Sequence, residues 1–325
     1  MSKRLVADIG GTNARFALLE AKSSGLTHAI TYPCTRFPSF ERALRFYLKA
    51  VQVVNLETIC LAVAGPIIND SVNFTNNSWK IHAAEVADEF QGASVKLLND
   101  FEAVAYALPY MGSKELVRVG TKPGCLSVRD NSRLCTIGPG TGLGSAGLLS
   151  EKGRRSVIVS EAGQVGFAPQ TPVQLEVLAA LTSRFGRISN ERLLSGSGIE
   201  NIYWALGKNR GEQSEAPSAA TIFSLAEALS SGKIENELAK QTIALFFEIL
   251  GQVAGDLALS LYAIDGLYIA GGIVRRYPKL LADSLFREGF ENKGKYRGLM
   301  ESLPTHLVTH KNPGLLGAVQ FTLDM

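Results

Sequence analysis

Residues able to do chemistry are gathered in a few short stretches of this 325-residue chain. Asn99 and Asp100 follow an apolar run (Val95, Leu97, Leu98) that reads as a short buried strand, and they precede Phe101 to Leu108, which reads as the start of a helix. That places both at the carboxyl end of a strand, where open α/β sheets hold their ligands. Asn99-x-x-Glu102 matches a capping box, so the pair serves either as a helix cap or, in Asp100, as a catalytic base. Asp8 is an acid inside the otherwise apolar strand Arg4 to Ile9. It reads as an edge or turn residue, or as a carboxylate held near a cation, because an unpaired buried carboxylate is costly. The strand runs into Gly10-Gly11-Thr12-Asn13, where two glycines let backbone approach a ligand and the next two residues add donors. Gly138-Pro-Gly-Thr-Gly-Leu-Gly144 is a second such stretch, and Gly271-Gly272 is a further close-approach site. Glu161 reads as a strand-end carboxylate and Glu191 as a first-turn acid facing a helix dipole. Asn73 to Trp79 is a polar loop with an aromatic anchor, either a turn cluster or a loop facing a sugar.

The elements that position these residues repeat. Arg4 to Ile9, a glycine-rich loop, Arg15 to Glu20, a turn at Ser23-Ser24-Gly25 and a third strand through Ile30 make one β-loop-β-turn-β unit. Arg133 to Ile137, the second glycine stretch, Ser145 to Leu149, a turn at Glu151-Lys152-Gly153 and Ser156 to Ser160 make another. An offset of 129 residues takes Gly11-Thr12 to Gly140-Thr141, Leu5 to Leu134, Ala17 to Ala146 and Leu19 to Leu148. A duplicated domain with a cleft between the copies is the expectation. Gly142-x-Gly144-x-x-Gly147, with Glu161 beyond it, formally matches the dinucleotide fingerprint. That fingerprint needs a helix opening from the glycines, whereas a strand and the Lys152-Gly153 turn follow here, so a Rossmann dehydrogenase is excluded. No GxxxxGK[ST] occurs, which excludes a P-loop. Helices are expected over Ser39–Val51, Val173–Phe185, from Ser189, over Ala219–Ser230, over Ile234–Tyr262 and from Leu315. Strands are expected at Thr58–Val63, Leu267–Ala270 and Thr305–Thr309, and Tyr110 to Asn131 and Gly207 to Ser218 read as irregular.

Composition fits this outline. The length favours two domains, and 46% apolar residues suit a well-buried α/β protein. A net charge of +3, with basic residues not interleaved with aromatics, does not ask for nucleic acid. Cys34, Cys60, Cys125 and Cys135 are dispersed and lack a CxxC spacing, as in a reducing compartment. His306 and His310 flank residues that look like strand, so their spacing points to no metal. The N-terminal apolar run is broken by Asp8, and the apolar stretch Ala244 to Ile264 carries Glu248 and Asp256. A cytoplasmic protein with no membrane span is expected.

Taken in order, Asp8-Ile-Gly-Gly-Thr-Asn-Ala-Arg15, Asn99-Asp100-Phe101, Gly138–Gly144, Ser189-Asn-Glu-Arg-Leu-Leu-Ser-Gly196, Ile269-Ala-Gly-Gly-Ile-Val274 and Asn312-Pro-Gly-Leu-Leu-Gly317 closely resemble the bacterial glucokinases of the hexokinase/actin superfamily. The motifs span nearly the whole chain. The resemblance implies two RNase H-like domains around a central cleft, residues 1–108 with 311–325 and residues 109–310. It also implies ATP-dependent phosphorylation of the 6-hydroxyl of glucose, feeding glycolysis. Asp8, Ile9, Gly10, Gly11, Thr12, Asn13 and Arg15 would face the ATP phosphates from one side and Gly140, Thr141 and Gly142 from the other. Asp8 would hold Mg²⁺ through water, and Gly271 and Gly272 would lie against the adenosine. Asp100 would be the base, with Asn99, Glu161, Gln164 and Glu191 on other sugar hydroxyls. A homodimer is implied by the resemblance alone. One position departs from the pattern: Glu161-Ala-Gly-Gln164 stands where the family generally has Glu-x-Gly-His. Gln is longer, uncharged and able both to donate and to accept. This bears on which sugar is taken, leaving a kinase for another hexose or amino sugar as an alternative. A non-catalytic sugar or nucleotide sensor is the alternative from another class, although a binder has no need of a base.

Overall fold

The computed structural model describes residues 3–20, 25–74, 77–120, 131–211, 215–230 and 236–325. Ser23 and Ser24 of the first expected turn, Thr75 and Asn76 of the polar loop, Cys125, Ile234 and part of the Gly207–Ser218 loop lie outside these residues. The chain divides into two compact units, Met1–Met111 with Val157–Val159 and His310–Met325, and Gly112–Ser156 with Ser160–Thr309.

The first unit is built on a five-stranded sheet of order β3-β2-β1-β4-β7. Its strands are β1 (Lys3–Ile9), β2 (Asn13–Leu19), β3 (Leu26–Pro33), β4 (Leu56–Val63) and β7 (Ser94–Asn99), while β5 (Ser71–Asn73) and β6 (Lys80–His82) form a separate ribbon. β1 pairs antiparallel with β2 and parallel with β4, and β4 pairs parallel with β7. Asp8 is therefore in a central strand, paired on both sides, and not at an edge. The apolar run before Asn99 is an edge strand, half-buried in alternation, which is what a single neighbour allows. On one face lies α1 (Phe40–Ala50), opened by Ser39, whose hydroxyl accepts from the Arg42 amide at 3.4 Å. Its Phe40, Ala43, Leu44, Tyr47 and Leu48 are buried, with Tyr47 stacked on Phe16 at 5.2 Å. The same face carries α2 (Ala83–Glu89), whose Val86 joins that core, while α3 (Asp100–Ala107) follows β7. On the other face, α3 and the C-terminal helix (Pro313–Asp324) cover Val6, Ala17, Cys60, Ala62 and Leu98 with Ala103, Leu315, Ala318 and Val319.

The second unit repeats that order of strands with one added. β9 (Ser132–Pro139), β10 (Leu143–Glu151) and β11 (Arg154–Ser160) form the antiparallel part, and β12 (Gly266–Ile269) and β13 (Thr305–Val308) continue parallel from β9. The stretch after Tyr110, expected to be irregular, contains β8 (Leu116–Val119), which pairs antiparallel with β13 at the sheet edge. Only Leu116 and Val119 of its four residues are buried, too short a pattern to stand out in the sequence. Lys152 and Gly153 both have positive φ, as the tight turn between β10 and β11 requires, and the residues after Gly142 are strand, which removes the dinucleotide fingerprint. Cys135, Ile137, Leu267, Ile269 and Leu307 point from the sheet into a core shared with α4 (Pro172–Phe185), α5 (Gly196–Asn209), α6 (Ala219–Ser230) and α7 (Glu237–Ser260). In α7, long and apolar enough to cross a membrane, 78% of the most apolar 18-residue window is buried within the protein, so it is a core helix. The helix expected from Ser189 is a single 3₁₀ turn, Asn190–Arg192. Leu193 and Leu194 are buried there, and Ser195 opens a new helix by accepting from the Gly198 amide at 3.0 Å. α8 (Gly272–Arg276) follows β12, and three more short helices lie between Pro278 and Ser302.

One close approach fixes the helix that starts at Asp100. A methyl group on Gly317 of the C-terminal helix would lie 1.7 Å from the Ala103 carbonyl oxygen in α3. Replacing Gly317 by Ala forces the two helices apart, at a cost of about 1–3 kcal/mol typical of overpacking. Urea unfolding of Gly317→Ala is expected to show a lower midpoint with an unchanged slope; an unchanged midpoint would mean the two helices are not held this closely.

Candidate active site

In the first unit the carboxyl ends of three parallel neighbours, β1, β4 and β7, lie side by side. Ile9 accepts from the Ala64 amide at 3.0 Å through its carbonyl, and Asn99 Nδ2 donates to the Gly65 carbonyl at 3.3 Å. Asn99, and not Asp100, is the helix cap. Its Oδ1 accepts from the amides of Phe101 (2.9 Å) and Glu102 (3.3 Å), and its own amide donates to Glu102 Oε2 at 3.1 Å. The capping box read from the sequence is therefore complete without the Asp100 side chain. Asp100 is the first residue inside α3, half-buried, with Oδ1 accepting from the Phe101 amide at 2.9 Å.

Asp8 sits at the base of the first glycine hairpin, its side chain 18% exposed, and accepts from Arg15 at 3.2 Å. Burial raises its pKa, and the charge and hydrogen bond of Arg15 oppose that rise. Gly314, in the first turn of the C-terminal helix, leaves space beside it, since a Cβ at that position would lie 3.5 Å from the carboxyl carbon. Ile9 is fully buried and belongs to the core that supports the hairpin. At the tip every carbonyl has a partner. Gly10 accepts from the Cys34 thiol at 3.5 Å, Gly11 from Asn77 Nδ2 at 3.3 Å, Thr12 from the Cys34 amide at 2.8 Å and Asn13 from the Gly10 amide at 2.9 Å. Among the described residues none accepts from the amides of Gly11 and Thr12, and Thr12 is exposed.

The second unit has the same arrangement, one residue tighter. Gly140 faces Gly142 across a tip of Thr141 alone, whereas Gly10 faces Asn13 across two residues, so Ala146 lies opposite Thr136 while Ala17 lies opposite Val6. The Gly140 carbonyl accepts from the Gly196 amide at 2.9 Å and that of Gly142 from Gly140 at 2.8 Å. None of the described residues accepts from the amides of Thr141 and Gly142. Glu191 ties this hairpin to the other polar residues. Its Oε2 accepts from the Leu143 amide at 2.9 Å and its Oε1 from Gln164 Nε2 at 3.0 Å. Arg187 fixes the turn by donating to the Gln164 carbonyl at 2.6 Å, and Asn190 donates to that of Ala162 at 3.0 Å. Glu161 begins this turn, its pKa raised by burial and then by the charge of Glu191. Gly271 has φ +103°, and a Cβ there would lie 2.4 Å from the Pro139 carbonyl oxygen, so only glycine lets β12 end against the second hairpin. Gly272 opens α8.

A family model described as glucokinase matches residues 5–325 of the chain, and the curated glucokinase of Hahella chejuensis is 37% identical over 318 residues, covering 97% of this chain and 95% of that one. The chain belongs to the glucokinase family. Among solved structures, a glucokinase from an Antarctic psychrotroph superposes with a TM-score of 0.86 at 35% identity over the full length of both chains. A ROK family glucokinase from Streptomyces griseus, solved in complex with glucose and AMPPNP, shares the fold with a TM-score of 0.62 at 17% identity, covering 98% of this chain and 99% of that one. In this glucokinase-family chain most candidate residues read from the sequence fall into two polar groups, while Ile9 lies in the hydrophobic core and Gly272 only opens α8. Asp8 and Gly10 to Arg15, at the end of β1, and Asn99-Asp100, at the end of β7, belong to the first unit, and Gly140 to Gly142, Glu161, Gln164, Glu191 and Gly271 to the second. The ties from Cys34, Asn77 and Gly196 to the hairpins are not read from the sequence, where Asn77 stands only within the Asn73–Trp79 loop and Gly196 only within the Ser189–Gly196 motif. A dispersed cysteine and an Asn in a polar loop carry no local pattern that would mark them.

The raised pKa of Glu161 has a definite sign. Its ionised form opposes folding near neutrality, and that penalty fades as pH falls through the raised value. Glu161→Gln is expected to raise the melting temperature at pH 7, by a margin that shrinks towards pH 4. A margin that stays constant or grows in acid would show that the Glu161 charge is not the cause.

Proposed function

We propose that this chain transfers the γ-phosphoryl group of ATP to the 6-hydroxyl of glucose, with Asp100 as the base that takes the hydroxyl proton. The observation that carries this reading is the pair of glycine hairpins, each with carbonyls tied back (Gly10 to Asn13 in the first, Gly140 and Gly142 in the second) and two amides presented. Such amides suit phosphate oxygens. Phosphoryl transfer asks mainly for positioning and charge stabilisation, so aligned donors are the main requirement and proton removal comes late. Asp100 suits that part because Asn99 does the capping, so its carboxylate is placed at a helix start without being the cap. Asn99 keeps one Nδ2 hydrogen beyond the one given to Gly65, and with Glu161, Gln164 and Glu191 it would hold the remaining sugar hydroxyls. Gly271 and Gly272 would lie against the adenosine.

A magnesium ion fits Asp8. The carboxylate is desolvated at the foot of the first hairpin, and a cation there would offset the burial that raises its pKa. Among the described residues no cluster of three His, Cys, Asp or Glu side chains is poised for a metal, which suits an ion that keeps most of its shell as water and phosphate oxygens. When bound through water at Asp8, the ion would supply neutralising charge to the phosphates. The cytoplasm, where ATP and sugar meet, is the matching location.

Gln164 favours a second reading, a related hexose or amino sugar as substrate, because its amide already donates to Glu191 and so sets what that carboxylate can still accept. A coupled ADP-release assay across glucose, mannose, fructose, glucosamine and N-acetyl sugars separates the readings, and activity with none of them would leave a sensor. With glucose, Asp100→Asn is expected to lower kcat by about 10²–10⁴-fold while glucose still binds; near-normal turnover would remove Asp100 as the base. Gln164→His is expected to lower the KM for glucose, and an unchanged or higher KM would show that the site is tuned to Gln.

A further inference from the structure

We infer that Asn77 and Cys34 are positioning residues for the nucleotide phosphates, acting through the backbone of the first glycine hairpin; this rests on the reading of that hairpin as a phosphate cradle. The polar loop Asn73–Trp79 is open in the sequence between a turn cluster and a loop facing the sugar. In the folded chain its Asn77 turns to the hairpin. Nδ2 donates to the Gly11 carbonyl at 3.3 Å, while Oδ1 accepts from the Trp79 amide at 2.8 Å. Trp79 anchors this arm. It is 2% exposed, donates from Nε1 to the Phe37 carbonyl at 3.0 Å and meets Phe40 edge-on at 6.2 Å. Cys34, 1% exposed, reaches the same tip from the end of β3, with its amide on Thr12 and its thiol on Gly10.

Peptide planarity links these contacts to the ligand side. In a trans peptide the carbonyl of one residue and the N–H of the next point in opposite directions. Holding the Gly10 carbonyl therefore aims the Gly11 N–H away from the Cys34–Asn77 side, and holding the Gly11 carbonyl does the same for the Thr12 N–H. These are the two amides with no acceptor among the described residues. Two successive glycines rotate at little cost, so without such ties the peptides between Gly10 and Thr12 would sample flipped orientations that present a carbonyl to an anion. Asn77 is thus assigned to the nucleotide and not to the sugar.

The test is steady-state kinetics in both substrates. Asn77→Asp removes the N–H donor and sets a carboxylate against the Gly11 carbonyl. It should raise the KM for ATP about tenfold or more, the scale of one hydrogen bond, and leave the KM for glucose within about twofold. Asn77→Gln, which keeps an amide donor, should recover part of the loss. If circular dichroism shows Asn77→Asp unfolded, Cys34→Val takes its place: it removes the thiol bond to Gly10, keeps the amide bond to Thr12, and should shift the KM for ATP in the same direction. A rise in the KM for glucose alone would assign the loop to the sugar. A parallel rise in both, or no change in either, would reduce these contacts to scaffolding. Absence of ATP- and glucose-dependent turnover in the unaltered protein would instead remove the phosphate-cradle reading beneath them.

Discussion

The joint between β7 and α3 rests on one side chain. Asn99 ends the strand, accepts from the first two available amides of the helix and reaches across to the end of β4. A helix start leaves four amides without partners inside the helix, and something must satisfy them. Because Asn99 does this from the residue before, Asp100 can occupy the first helical position with a carboxylate that is not needed to hold the helix. The position and surroundings of Asp100 follow from that division of labour. The Glu102 carboxylate closes the box from the other side, and burial of that carboxylate, which raises its pKa, is opposed by its bond to the Asn99 amide.

The same constraint, that buried backbone polar groups find partners, shapes both hairpins. Each is the first turn of its sheet, and each has carbonyls tied back into its own unit. The ties differ. In the first unit they come from side chains, a thiol and an amide, with one backbone amide. In the second unit they come from the amide of Gly196 in the first turn of α5 and from the loop itself, while Glu191 takes the amide that follows. Glu191 is also the acceptor for Gln164. One carboxylate in the second unit therefore belongs at once to the hairpin and to the turn expected to meet the sugar.

Features with a short-range signature were legible in the sequence. The glycine hairpins, the capping box at Asn99 and the repeated order of strands rest on spacings of a few residues, or on a pattern that recurs. Features that depend on the chain returning from far away were not. Cys34 lies 24 residues from Gly10 and Asn77 66 residues from Gly11, and the local bond of Asn77, accepted from the Trp79 amide, marks a turn and not a hairpin partner. β8 has four residues, only two of them buried, and is a strand because β13 is beside it. The turn at Asn190–Arg192 carries a helix-like sequence, but Asn190 is drawn to Ala162 and Val165, and a serine five residues further on caps a different helix.

The C-terminal helix gives the chain an order of assembly. It closes one face of the first sheet, brings Gly314 beside Asp8 and packs Gly317 on the helix that begins at Asp100, yet in sequence it follows the whole of the second unit. During synthesis the first sheet leaves the ribosome early with the part of that face not covered by α3 still open, and it stays open while about two hundred further residues are made, on the order of ten to forty seconds at usual elongation rates. The second unit can fold as soon as β13 is out. The first unit, which holds Asp100, completes its core last.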